Sequence, residues 1–130
     1  MILSQKQLET KAKIELLAHL FDLDPKWASA IAMAESSLGK FQKSRTNCRG
    51  VFQMSSIAMQ DLLLSMEKSD DDLVDIVCGL AFLKLLMTRW KTLEEATSHF
   101  CDPMDRGFYL NRVRDYMVAF ENPNLGGSNV

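Results

Sequence analysis

The sequence predicts an all-α domain, with room for two or three very short strands within residues 41–54. Three observations carry that expectation. Apolar residues recur at three- and four-residue spacing along most of the chain. Helix-start signals punctuate it: Ser4 with Gln7, Asp24-Pro25, and Thr92 with Glu95. No segment alternates apolar and polar residues as a half-buried strand would. The pattern predicts about six helices around a buried central one. A chain of 130 residues, 47% of them hydrophobic, is large enough for one core without disulfide staples. Residues 1–121 form that single domain, and the Asn-, Gly- and Pro-containing residues 122–130 read as a flexible tail.

Ser4 and Gln7 form a capping box, followed by Leu8, Ala12, Leu16, Leu17, Leu20 and Phe21 as the expected buried stripe. Asp24-Pro25 starts a second helix, a cap and then a proline at the first helical position, which runs to about Ser37 and stops at Gly39. Polar residues between Phe41 and Phe52 mark a loop. A third helix opens at Ser55 or Ser56 and carries Ile57, Met59, Leu62 and Leu63. Asp70-Asp71-Asp72 places acid at the positive end of a fourth helix that reaches Trp90. This one is apolar nearly all round and is the expected central helix. Thr92 and Glu95 open a further short helix, and Tyr109, Val113, Tyr116, Met117 and Phe120 form the stripe of the last.

The totals exclude several function classes. A formal net charge of -2 argues against a general nucleic-acid binder. Lys40, Lys43, Arg45 and Arg49 form a local basic stretch, read as solvated loop, that could contact an anionic ligand. Cys48, Cys78 and Cys101 match no zinc spacing and are expected to be reduced and mostly buried, with at most one disulfide. Calcium loops want alternating oxygen ligands and a glycine, so the aspartate triplet reads as a helix start, and no metal or cofactor is expected. Met1–Lys6 lacks the pattern of a signal peptide. The apolar run from Ile76 to Met87 is interrupted by Lys84 and is too short to span a bilayer, so no membrane insertion is expected.

One residue breaks the pattern. On a helical wheel with Lys26 at zero, Lys26, Ser29, Met33, Ser36 and Ser37 form the expected wet face. Glu35 falls at roughly 180°, between Ala28 and Ile31 in the middle of the apolar face. It also stands near the negative pole of its helix. Desolvation and that partial charge both disfavour the carboxylate and push its pKa up. A carboxyl held protonated near neutral pH is what a general acid needs. A buried ion pair would place a glutamate on the same face, and the wheel alone leaves both readings open.

The surroundings carry a resemblance. Ala34-Glu35-Ser36, then Ser44, then Gly50-Val51-Phe52-Gln53 resembles the signature of the soluble-type (SLT) lytic transglycosylases: a glutamate-serine pair at a helix end, a serine nine residues on, and a glycine-aliphatic-x-glutamine motif. Gly79-Leu80-Ala81-Phe82-Leu83 is similar to that family's central helix, and Tyr109-Leu110-Asn111-Arg112-Val113 to its final one. The likeness covers roughly residues 20–120 and implies a fold like goose-type lysozyme. One part departs: His99-Phe100-Cys101-Asp102-Pro103 stands where the family has alanine-tyrosine-asparagine-alanine-glycine, so the tyrosine hydroxyl and the asparagine amide are missing there.

The resemblance implies cleavage of the β-1,4 bond between N-acetylmuramic acid and N-acetylglucosamine in peptidoglycan, with Glu35 as the single catalytic carboxyl and 1,6-anhydromuramic ends as product. Ser36, Ser44, Gln53 and Phe100 are the substrate-binding positions it suggests. Ser36 also reads as a local backbone tie, Gln53 as a glutamine pinning its loop, and Phe100 as core. A lysozyme-like muramidase using water is the enzymatic alternative, with Asp102 or Asp105 as second carboxylate. A glycan-binding or assembly protein without catalysis is the other. The partner implied is the glycan strand at the cell wall or periplasm, met by a monomer, with a secretion or phage assembly as the route such compact forms suggest.

Overall fold

The computed structural model describes residues 1–42, 48–55, 72–100 and 106–121. Among them are α1 (Gln5–Leu20), α2 (Pro25–Ser36), β1 (Cys48–Arg49), β2 (Met54–Ser55), α3 (Asp72–Arg89), α4 (Leu93–Ser98) and α5 (Arg106–Glu121). The fold is all-α and lysozyme-like, with one small antiparallel pair that joins Cys48 to Ser55 and Arg49 to Met54. The expected helix carrying Ile57–Leu63, the tail 122–130, Ser44, Asp70, Asp71, Cys101, Asp102 and Asp105 lie outside the described residues. No helix among the described residues is long and apolar enough to cross a membrane.

Local chemistry sets the helix starts. Ser4 accepts from the Gln7 N–H while the Gln7 side chain accepts from the Ser4 N–H, a complete capping box. Asp24 accepts from the Lys26 and Trp27 N–H groups ahead of Pro25. Thr92 accepts from the Glu95 N–H and donates to its carboxylate. Each cap typically contributes about 1 kcal/mol and fixes where its helix enters the core.

Packing departs from the sequence reading in two helices. In α1 the buried residues are Gln7, Thr10, Ile14 and Ala18, whereas Ala12, Leu16 and Leu20 are exposed. Gln7 turns inward to donate to the Ser37 carbonyl at 2.9 Å, while Leu8, Leu17 and Phe21 of the expected stripe pack half-buried against the core. In α2 the expected wet face is not wet: Ser29 and Ser36 are buried along with Trp27, Ala28, Ile31, Ala34 and Glu35. Among the described helices this one, packed between α1 and α5, is the most enclosed, rather than α3. α3 buries Ile76, Leu80, Leu83 and Leu86 and exposes Leu73, Val74 and Val77. Cys48 and Cys78 are in no disulfide and are half-buried where burial was expected.

Candidate active site

Glu35 is the penultimate residue of α2, and the way that helix ends builds its surroundings. Ser37, Leu38 and Gly39 follow with φ of +51°, +58° and +90°, three left-handed residues in a row. Only the glycine adopts that region freely; each of the others costs on the order of 1 kcal/mol. Leu38 is held there by burial, and its N–H reaches back to the Ala32 carbonyl at 3.2 Å. The Ser37 N–H bonds the Met33 carbonyl, and the Phe41 N–H bonds that of Ser36. The carbonyls of Ala32, Met33 and Ser36 thus accept bonds, and the chain turns back over α1.

Gly50-Val51-Phe52-Gln53 forms the turn between β1 and β2, closed by the Gln53 N–H on the Gly50 carbonyl at 3.1 Å. Gly50 has φ +83° and Gln53 +52°. Val51 and Phe52 are fully buried. Gly79 of α3 makes room for the Phe52 ring, since a Cβ at that position would run into it. The Ser36 hydroxyl donates to the Val51 carbonyl at 2.5 Å and accepts from the Gly39 N–H at 2.8 Å. One buried serine therefore clasps the end of α2 to the turn. The Gln53 side-chain amide adds a second clasp, donating to the carbonyls of Gln42 and Gly50 at 2.8 and 3.0 Å.

The Glu35 carboxyl is 5% exposed, and its Oε2 accepts from the Tyr109 hydroxyl of α5 at 2.6 Å. Burial and the C-terminal pole of α2 favour the neutral acid. The hydrogen bond from the phenol favours the carboxylate, with a typical strength of about 1.5–3 kcal/mol for a charged acceptor. Such a carboxyl can release a proton and find its negative charge met at once.

Among the positions singled out in the sequence, the structure brings Ser36 and the Gly50–Gln53 turn together at the end of α2. Phe100 is 7% exposed, its ring 5.7 Å from that of Phe82. Beside it His99 stacks on Trp90 at 3.8 Å, so the described part of the divergent segment is engaged in packing. Tyr109 is the residue that sequence reasoning missed. The sequence places it on the apolar stripe of the last helix and in the stretch similar to the family's final helix, and a buried phenol needs a partner for its hydroxyl, which is the signal of a polar neighbour. That hydroxyl stands on the Glu35 carboxyl, while the side chain at position 100, a phenylalanine, has no hydroxyl to offer.

A family model described as the transglycosylase SLT domain matches residues 14–100, more than half of the chain. The match spans Glu35, the Gly50–Gln53 turn and Phe100, and ends before Tyr109. No curated protein and no solved structure gives a significant match.

Proposed function

The chain belongs to the SLT transglycosylase domain family, and on that premise we propose that it cleaves the β-1,4 bond between N-acetylmuramic acid and N-acetylglucosamine with Glu35 as its single catalytic group. The observation that carries this reading is the buried Glu35 carboxyl with the Tyr109 hydroxyl bonded to it. Peptidoglycan is the family's substrate class, so the site of action is the cell wall.

In the proposed reaction the protonated Glu35 donates its proton to the glycosidic oxygen as the bond from that oxygen to C1 of the muramic residue breaks. The carbonyl oxygen of the same sugar's N-acetyl group stabilises the electron-poor C1. Glu35, now a carboxylate stabilised by Tyr109, takes the proton of the C6 hydroxyl, and O6 closes on C1. The products are a free N-acetylglucosamine hydroxyl and a 1,6-anhydromuramic end. Glu35 leaves protonated again, and no water is consumed. A nucleophile tethered in the substrate has a very high effective concentration, so no second carboxylate is needed to hold water. Ser36 and Gln53 position the wall of the site through the clasps described above; Ser44 is the proposed substrate contact, and Phe100, packed against Phe82, supports the site instead of stacking on a sugar.

Glu35→Gln tested beside the unmodified chain in a cell-wall clearing assay checks the assignment. Clearing lost in the variant supports Glu35, and equal clearing by both sinks it. Mass spectrometry of the released muropeptides then identifies the reaction, because anhydro ends are lighter by one water than hydrolysed ones. Hydrated ends would assign a muramidase. Intact strands retained by both proteins without clearing would assign a glycan-binding protein.

A further inference from the structure

The turn that closes the catalytic helix is held from two sides. On one side stand the Ser36 and Gln53 clasps, which tie it to the Gly50–Gln53 turn. On the other stands Gln7 of α1, whose side-chain amide donates to the Ser37 carbonyl at 2.9 Å, across 30 residues of chain. Gln7 is a polar side chain at 8% exposure, in a helix whose other buried residues are Thr10, Ile14 and Ala18. Its Oε1 is also occupied, accepting from the Ser4 N–H at 2.9 Å to complete the capping box. One amide therefore fastens the first turn of α1 to the residue that ends α2.

Two features point beyond packing. A capping box takes glutamate as readily as glutamine, because it needs only an acceptor for the N-cap N–H. A carboxylate at position 7 would complete the box but set a second acceptor against the Ser37 carbonyl. Only the amide, with an acceptor at one corner and donors at the other, serves both. The choice of residue is thus decided at the end of α2, not at the helix it caps. Ser37 is also where the chain needs holding. It is the C-cap of α2, at φ +51°, and Leu38 follows at +58°. Left-handed residues other than glycine persist only where their surroundings over-determine them. The Gln7 bond is one such determinant, and it falls on Ser37 itself, two residues after Glu35.

We infer that Gln7 is a positioning residue for the catalytic carboxyl: it fixes the backbone from which Glu35 hangs, as Tyr109 fixes the carboxyl itself. The inference rests on the reading of Glu35 as the general acid. Tyr109 holds Oε2 from α5 at 2.6 Å, and Gln7 holds the residue that ends α2 from α1. The end of α2 is thus pinned from both of the helices that flank it. A carboxyl that must meet first the glycosidic oxygen and then the C6 hydroxyl tolerates little displacement, since misplacement by about 1 Å can cost on the order of 100-fold in rate. In this role Gln7 acts only through Ser37. It precedes residue 14, where the family match begins, so it belongs to a part of α1 that the match does not cover.

Three variants of the whole chain test this. Gln7→Glu keeps the acceptor for the Ser4 N–H and loses the donor to Ser37, and Gln7→Met loses both without adding charge. Ser4→Ala removes the hydroxyl that accepts from the Gln7 N–H and leaves both side-chain bonds of Gln7 in place, a control for a weakened α1 cap. On a soluble glycan fragment, kcat should fall about tenfold in both Gln7 variants with KM unchanged, and hold in Ser4→Ala. With ¹³C-labelled glutamate, the Glu35 carboxyl resonance should shift in the Gln7 variants and not in Ser4→Ala, while amides distant from the turn keep their positions as evidence of folding. If Gln7→Met does not fold, Gln7→Glu, which retains the box, carries the test. Unchanged kcat in Gln7→Glu, or an equal fall in Ser4→Ala, overturns the proposal and leaves Gln7 a stabilising bond alone. An unshifted carboxyl resonance in Gln7→Glu overturns it as well. Because that resonance needs no turnover, the two readings separate. If the unmodified chain cleaves nothing, a shift confined to the Gln7 variants refutes the reaction and still supports the positioning of Glu35.

Discussion

The two ends of α2 solve the same packing problem with different chemistry. Near its start, Trp27 is fully buried and donates from Nε1 to the Thr97 Oγ1 at 2.7 Å, across 70 residues of chain. Near its end, Glu35 is 5% exposed and accepts from the Tyr109 hydroxyl at 2.6 Å, across 74 residues. Both are short hydrogen bonds that join a buried α2 side chain to another helix. The Trp27 pair is neutral in every state the protein visits, and its whole effect is on stability. The Glu35 pair contains a group that can change charge, so the same geometry there can serve the proposed reaction. Burial and bonding alone do not separate a structural pair from a catalytic one; the titratable proton does.

The largest expected effect is at the Glu35 end. Glu35→Gln keeps the size of the side chain and an oxygen for Tyr109 to bond, but removes the acid. A general acid contributes roughly 10²–10⁴-fold, and here one carboxyl serves both proton transfers, so cleavage should fall by about 10³-fold or more. Thermal unfolding should shift little or upward, since an amide is easier to bury than a carboxyl. A large loss of Tm in a correctly folded variant would place Glu35 with Trp27, as a structural residue.

The Trp27 end should answer in the opposite currency of measurement. Trp27→Phe removes the indole N–H and leaves a void beside Thr97, a loss of about 3 kcal/mol in denaturant unfolding. Specific activity below the new melting transition should be retained. Thr97→Val leaves the Trp27 N–H buried without its acceptor and also removes the hydroxyl's own bond to the Leu93 carbonyl, worth about 2 kcal/mol. If either substitution lowered cleavage while stability held, the two ends of α2 would be coupled.

The same pair of ends shows what the sequence could tell. Helix starts were readable at Ser4, Asp24 and Thr92, because a cap is settled within four residues. Glu35 was readable because a charged residue on an apolar face is anomalous on its own helix. The stripe of α1 was readable only in part: Leu8, Leu17 and Phe21 pack on the core, but the burial of Gln7 depends on Ser37, a partner thirty positions away. Ser29 and Ser36 looked like a wet face because their covering elements come from elsewhere in the chain. Tyr109 escaped for the same reason: its position on the final helix was clear, and its hydroxyl's destination was not. Long-range hydrogen bonds between buried polar side chains are what a single sequence conceals here.

The smallest expected effect is the most discriminating, and it is at Tyr109. Tyr109→Phe keeps the ring in the core and deletes only the hydroxyl on Glu35. In the proposed mechanism that hydroxyl stabilises the carboxylate formed in the first step, so its loss should slow cleavage by about tenfold, the equivalent of roughly 1.4 kcal/mol. The sign of the pH effect follows from the same bond. A donor favours the ionised carboxyl, so deleting it pushes the Glu35 pKa up and keeps the acid protonated to higher pH. The alkaline limb of the rate profile should therefore move to higher pH, by about one unit if the full hydrogen-bond strength is lost, while the plateau falls. In the unmodified chain, NMR titration should place Glu35 above the ordinary glutamate value of about 4.3, because burial disfavours the charged form. Thr97→Val, which deletes the matching acceptor at the other end of the helix, should leave the limb where it is. A shift of the limb in Thr97→Val, or none in Tyr109→Phe, would end the distinction between the two ends.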